Sequence, residues 1–188
     1  MKKSIGKKTV LLTHPVLIIG SYDPGGKPNI MAASWAGICC SEPPCVTVSL
    51  RKQRHSYNSV MLNKAFTINI PSEKYIREAD FTGIFSGKDV DKFKECGLTP
   101  VHSGTVNAPY IMEFNLNMIC RLVQTVELGI HTMFIGEILD TLVDEDMTDI
   151  KGNPLISNIK PFIYDPASRA YYSIGDKLMD AYTAKRKT

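Results

Sequence analysis

Two long strand-like segments, Ile111 to Val126 and His131 to Val143, are separated only by Glu127-Leu128-Gly129-Ile130, which predicts a long antiparallel hairpin. Shorter strand patterns precede and follow it: His14 to Tyr22, Asn29 to Ile38, Cys45 to Leu50, Ala65 to Ile70 and Ala170 to Ile174. Asp23 to Pro28 is a turn, and Ser41-Glu42-Pro43-Pro44 breaks the chain again. Helical patterns lie between the strands. Ser56 to Lys64 starts with Ser56 as N-cap and buries Val60-Met61, and Glu73 to Phe81 stops at Thr82-Gly83. Asp89 to Cys96 is a further short helix, and Lys177 to Lys185 is a terminal helix or tail. Antiparallel strands with inserted helices favour a small closed or partly open β-barrel. The strand-helix alternation and the G-x-G-x-x-G of a doubly wound nucleotide fold are both missing.

With 188 residues the chain supports one sizeable core, so a single domain over 1–188 is expected. Apolar runs such as Val16 to Ile19 are too short to span a bilayer, and Leu11-Leu12 is followed at once by Thr13-His14-Pro15, which is no signal-peptide core. The expectation is a cytoplasmic protein with no membrane contact. Net charge is only +3, with basic residues gathered at the ends, Lys185-Arg186-Lys187 reading as a solvated tail. Basic residues do not alternate with aromatics along any strand, so nucleic acid is not expected as a partner. The five cysteines include no CxxC pair and are expected reduced, with Cys39 and Cys40 half-buried on a strand or turn. His14, His55, His102 and His131 form no ligand spacing with a cysteine pair, so no metal is expected. No G-x-S-x-G elbow or P-loop is present, which sets aside hydrolase and NTPase chemistry.

The chemistry lies in two segments, Asp23 to Trp35 and Val46 to Ser56. The second is a strand ending in Arg51, Lys52 and Arg54, followed by a hydroxyl where a helix starts. Cations beside free helix amides favour a phosphate. Asn29, Ala32, Ala33, Ser34 and Trp35 form a second wall, whose small residues leave room for a flat ring against the backbone. Together they imply a phosphorylated aromatic cofactor.

The order of these motifs resembles the flavin reductase-like family, which has an FMN-binding split barrel. It is carried by Asn29-x-x-x-x-Ser34-Trp35, Ser41-x-Pro43-Pro44, and Arg51-Lys52-x-Arg54-His55-Ser56. It continues through Ala79-Asp80-Phe81-Thr82-Gly83, Ser86-Gly87-x-Asp89-Val90-Asp91-Lys92-Phe93, Gly97-Leu98-Thr99-Pro100 and Gly129-Ile130-His131-Thr132-x-x-x-Gly136-Glu137, so it covers roughly Thr13 to Tyr172. Within the family the chain is most similar to the flavoredoxins. The resemblance implies a mainly β fold with short helices, an antiparallel, Greek-key-like split β-barrel, assembled as a homodimer. It implies FMN rather than FAD as cofactor. Asn29 and Met31, Ala32, Ala33, Ser34 and Trp35 would contact the ring and ribityl chain. Leu50, Arg51, Lys52 and Ser56 would hold the chain and phosphate, with Thr82 and Gly83 closing over that side. Lys92 would approach the ring, His131 would lie near its redox face, and Tyr164 would cover it, with Tyr171 and Tyr172 as alternatives. No catalytic residue is implied, because a flavin carries the chemistry. The function implied is an oxidoreductase passing electrons from NAD(P)H through FMN to free flavin, a ferric chelate or a redox protein. The alternatives are a flavoredoxin-type carrier between redox proteins without NAD(P)H activity, and a flavin-binding or storage module.

Overall fold

The structure is a computed structural model and describes residues 1–184. The Lys185-Arg186-Lys187 tail lies outside the described residues. The strands run in chain order β1 (His14–Pro15), β2 (Leu17–Tyr22), β3 (Pro28–Ala33), β4 (Ala36–Ser41) and β5 (Pro44–Arg51). After helix α1 (His55–Asn63) come β6 (Ala65–Ile70), α2 (Ile76–Ile84), α3 (Lys92–Cys96), β7 (Pro100–His102) and β8 (Pro109–Ile111). The long hairpin β9 (Leu116–Leu128) and β10 (His131–Val143), α4 (Ile156–Ile159), β11 (Phe162–Asp165) and β12 (Ala170–Ser173) complete the described chain. The fold is mainly β with short helices, as expected, and every paired strand is antiparallel.

Seven strands form the main sheet in the order β3-β2-β6-β9-β10-β5-β4. Its two edge strands, β3 and β4, are consecutive in the chain and joined only by Ser34-Trp35. In a flat sheet they would stand about 29 Å apart, at about 4.8 Å per strand spacing, which two residues cannot span. The sheet therefore curls into a barrel, and the Trp35 carbonyl accepts from the Ser49 amide on β5 at 2.9 Å. This corrects the single strand expected over Asn29–Ile38, since the chain changes edges at Ser34-Trp35. β5 and β6 are separated by β10 and β9, so α1 carries a jump of the Greek-key kind.

The barrel interior is built from Leu17, Ile19, Val48, Leu50, Phe66 and Phe134, with Val60 of α1 inserted among them. Gly136 lies opposite Phe66, where a Cβ would come within 2.5 Å of the ring. A second core outside the barrel joins Ile18 and Ile30 to Ala79, Phe93, Ile111 and Phe162. β2 and β3 are thus buried on both faces, which explains the nearly unbroken apolar run of β2. α3 is shorter than expected and is capped by Asp91, whose carboxylate accepts from the Lys94 amide at 3.3 Å. Gly97 closes it at φ 63°. Residues 177–184 form no helix, which leaves the tail alternative, and no helix among the described residues is long and apolar enough to cross a membrane.

Candidate functional site

The end of β5 and the start of α1 meet β3 where the sheet changes edges. Pairing of β5 with β10 sets Arg51 opposite His131. β5 ends at Arg51, and Lys52 lies in the turn that follows, so the two side chains part. Arg51 lines a groove along β3, while the exposed Lys52 ammonium turns to Glu127 of β9 at 2.6 Å. That hydrogen bond raises the Lys52 pKa and lowers that of Glu127. The place expected for Lys52 is taken by Arg54, which lines each of three adjoining hollows and donates from Nη1 to the Gly83 carbonyl at 3.3 Å.

The first hollow, of about 510 Å³, is walled by Arg54, His55, Ser56, Gly87 and Lys92, with Met31, Gln53, Phe85 and Ser86 around them. Ser56 is not the N-cap. Arg54 holds that position without a side-chain cap bond, and the first turn of α1 carries no acidic residue. The positive helix end and its first amides are left without an internal partner. Ser56 is buried one step inside, where its Oγ accepts from Asn29 Nδ2 at 2.9 Å. Asn29 Oδ1 and His55 Nε2 are buried with no partner. Gly87 permits this packing, because a Cβ there would overlap Asn29 Oδ1 and stand 2.9 Å from His55 Cδ2.

Lys92 is 4% exposed and donates to the Thr82 carbonyl at 2.7 Å. Burial lowers its pKa to about 8, with the Arg54 charge adding and Cys96 opposing. It shares the hollow of Ser56 and Arg54 and is not among the residues walling that of Trp35 and His131. Thr82 does not reach the groove as a hydroxyl. α2 runs on through Thr82-Gly83, and Thr82 Oγ1 donates back to the Ala79 carbonyl at 2.8 Å, so only its main chain serves the site.

The second hollow, of about 480 Å³, is formed by residues 31–35 with Leu50, Arg51, Arg54 and His131. The Trp35 and His131 rings lie 4.7 Å apart at 33°. Burial, then the Arg51 charge, lowers the His131 pKa, which favours neutral imidazole. The third hollow, of about 800 Å³, adds Asp80, Gly83, Ile84, Tyr164, Arg169 and Tyr171 to the shared Ala32, Ser34 and Arg54. Tyr164 and Tyr171 are 5.6 Å apart, and the Tyr171 hydroxyl donates to Asp80 at 2.8 Å. Burial and that carboxylate push the Tyr171 phenol well above its ordinary range. Tyr172 lies outside this wall.

All the expected residues except Lys52 and the Thr82 side chain therefore gather along one groove, with Asn29 behind the first hollow. Arg54 was read with the phosphate cations, and His55, Asp80 and Gly87 were visible in the motifs without a role, whereas Arg169 enters only through tertiary packing. A separate hollow of about 700 Å³ is walled by residues such as Val16, Leu116, Ile159 and Phe162 and offers no polar group for chemistry. The groove instead pairs a cationic, amide-rich end with a flat wall of small residues, an arrangement suited to a ligand with an anion at one end and a planar ring at the other.

A family model described as flavin reductase like domain matches residues 9–165. Among solved structures, the flavoredoxin of Desulfovibrio vulgaris (Miyazaki F) is 48% identical, with 98% of this chain and 99% of that one covered and a TM-score of 0.93. A flavoredoxin from Methanosarcina acetivorans is 28% identical over 97% of each chain, with a TM-score of 0.91. An uncharacterized protein of Archaeoglobus fulgidus is 33% identical over 113 residues, which span 60% of this chain and 64% of that relative.

Proposed function

The chain belongs to the flavin reductase-like domain family, and on that premise we propose that it binds FMN along the groove and passes electrons from NAD(P)H to an acceptor. The acceptor class is free flavin, a ferric chelate or a redox protein. One observation carries the proposal: the cationic hollow of Arg54, Ser56 and Lys92, with Asn29 Oδ1 and His55 Nε2 buried and unpartnered, adjoins the small-residue wall of β3. Buried polar atoms without partners are rare in a finished site and suit a ligand with donors of its own.

The residues fit FMN. Arg54, Ser56, Lys92 and the first amides of α1 hold the phosphate. Met31 to Trp35, Leu50 and Arg51 flank the ribityl chain and ring, with His131 and Tyr164 beside them. Bound there, FMN supplies reversible one- and two-electron chemistry. The protein orients it and sets the surrounding charge, neutral His131 and cationic Arg51 forming one side. FMN is preferred over FAD because this hollow suits a single phosphate group. The chain acts as one domain and as a cytoplasmic homodimer. Leu128 and Ile130, next to His131, are more than half exposed and give such a dimer apolar surface beside the groove.

A second reading is a flavoredoxin-type carrier that exchanges electrons with redox proteins and has no NAD(P)H activity. The 48% identity to a flavoredoxin over nearly the whole chain favours it. For both readings the first test is equilibrium binding to protein stripped of ligand. FMN is expected to bind at least about tenfold tighter than riboflavin, because only FMN offers the charge-assisted bonds to phosphate. Equal affinities would remove the phosphate assignment.

A further inference from the structure

The tip of the β4–β5 hairpin, at the far end of β5 from the groove, carries Cys39, Cys40 and Cys45 among the five cysteines of the chain. Strand β4 advances two residues, from Ile38 to Cys40, while β5 steps only between Val46 and Cys45. The extra residue makes a β-bulge, so Cys39 and Cys40 together oppose Cys45, with Cys40 as its direct partner. Cys39 and Cys40 are exposed rather than half-buried as their sequence suggested, because the bulge lies on an edge strand. Cys45, on the inner strand of the pair, is 7% exposed. We propose that Cys40 and Cys45 are a redox-active dithiol that closes to a disulfide by exchange with a small-molecule disulfide, Cys40 attacking and Cys45 resolving.

The backbone allows the bridge. Directly opposed residues of an antiparallel pair have Cα atoms about 4.5 to 5.5 Å apart, inside the about 4.4 to 6.8 Å that a disulfide spans. Cys40 Sγ donates to the Glu42 carbonyl at 3.3 Å, and a χ1 step exchanges that contact for Cys45. The order of attack follows from access. The exposed Cys40 thiolate attacks one sulfur of the small disulfide and expels the other as a thiol. Cys45 then attacks the Cys40 sulfur and expels the second thiol. The protein gives up two protons and two electrons, and the small disulfide takes them up as two thiols. Burial, then the Cys40 and Cys39 thiols and Glu137, raise the Cys45 pKa, which makes it a poor attacker of outside disulfides. Its place opposite Cys40 makes the second step intramolecular. The remaining thiols are withheld: burial pushes Cys120 up to about 12 and Cys96 up to about 11. The dithiol lies six residues along β5 from the Arg51–His131 pair, about 20 Å at about 3.3 Å per residue. Its chemistry therefore does not depend on whether FMN binds.

The test incubates the reduced, desalted whole chain with glutathione disulfide, quenches with acid, and reads intact mass and free thiols. Wild type is expected to lose two of its five thiols and two hydrogens in mass, without a lasting glutathione adduct, and to recover both with dithiothreitol. Cys45→Ser should stop at one glutathione adduct. Cys40→Ser should slow closure by about tenfold or more, while Cys39→Ser closes within about twofold of the wild-type rate. Wild type that keeps all five thiols, or that collects glutathione adducts without closing, overturns the proposal. Closure at the wild-type rate in Cys40→Ser also overturns it, by giving the attack to Cys39. Cys39 and Cys40 are both exposed, so their variants decide the matter even where Cys45→Ser fails to fold.

Discussion

Lys92 gives the sharpest prediction, because its environment fixes both a sign and a pH window. Burial holds its ammonium at a pKa of about 8, against 10.5 in the open chain. At pH 7 roughly nine-tenths of the side chain carries the proton, and at pH 9 roughly one-tenth. Phosphate favours the charged form, so FMN binding raises the Lys92 pKa and takes up a proton above pH 8. The affinity is fullest below about 8 and falls as pH rises through it, by about tenfold between pH 7 and 9. The stability of the ligand-free protein has the opposite sign. Between about 8 and 10.5 the unfolded chain binds the proton and the folded one does not, so this group contributes rising stability across that window. Lys92→Met should bind FMN weakly at pH 7, approach wild type at pH 9, and show no slope between them. The assay is quenching of flavin fluorescence at pH 7, 8 and 9, with FMN and riboflavin in parallel. A flat wild-type profile, or the same slope in Lys92→Met, would refute the reasoning. An equal slope for riboflavin would place Lys92 against the ring.

Further outcomes follow from particular contacts. Ser56→Ala combined with Arg54→Ala should weaken FMN by about tenfold or more and riboflavin by less than about twofold, since each change removes a donor at the phosphate end; parallel losses in the same titration would contradict it. Gly87→Ala forces a Cβ into Asn29 and His55, so it should cost about 1–3 kcal/mol in urea unfolding and weaken FMN as well. Unchanged values for both would mean that the α2–α3 loop yields freely. Gly136→Ala drives a Cβ into the Phe66 ring and should destabilise by a similar about 1–3 kcal/mol while leaving the FMN-to-riboflavin ratio unaltered. A neutral melting curve would show that Phe66 repacks without cost.

Much of this architecture was legible in the chain. The β9–β10 hairpin, the β5 strand with its cations and the small-residue wall of β3 were all visible as local patterns. The edge change at Ser34-Trp35 was not, because neither residue breaks a strand by itself and only closure of the barrel requires the change. Thr82-Gly83 read as a stop, yet α2 continues through it: a Cβ at Gly83 would sit 3.3 Å from the Ala32 Cβ, so glycine there serves close approach of α2 to β3. Lys52 and Arg54 exchanged roles because a cationic run does not reveal which side chains face the groove. The side of each became visible only once β5 was paired with β10. β7, β8 and β11 escaped notice because they are only three or four residues long and begin at or just after a proline, too short for an alternating pattern to show.

The most direct test of the electron-transfer proposal is an anaerobic absorbance spectrum of FMN-loaded, desalted protein, recorded before and after NADH and then NADPH. The account predicts a flavin band that survives desalting and bleaches rapidly with one of the two nucleotides. A retained band that ignores both and bleaches only with dithionite would contradict the reductase reading and leave the carrier. Loss of the band on desalting would contradict the groove as a resident FMN site.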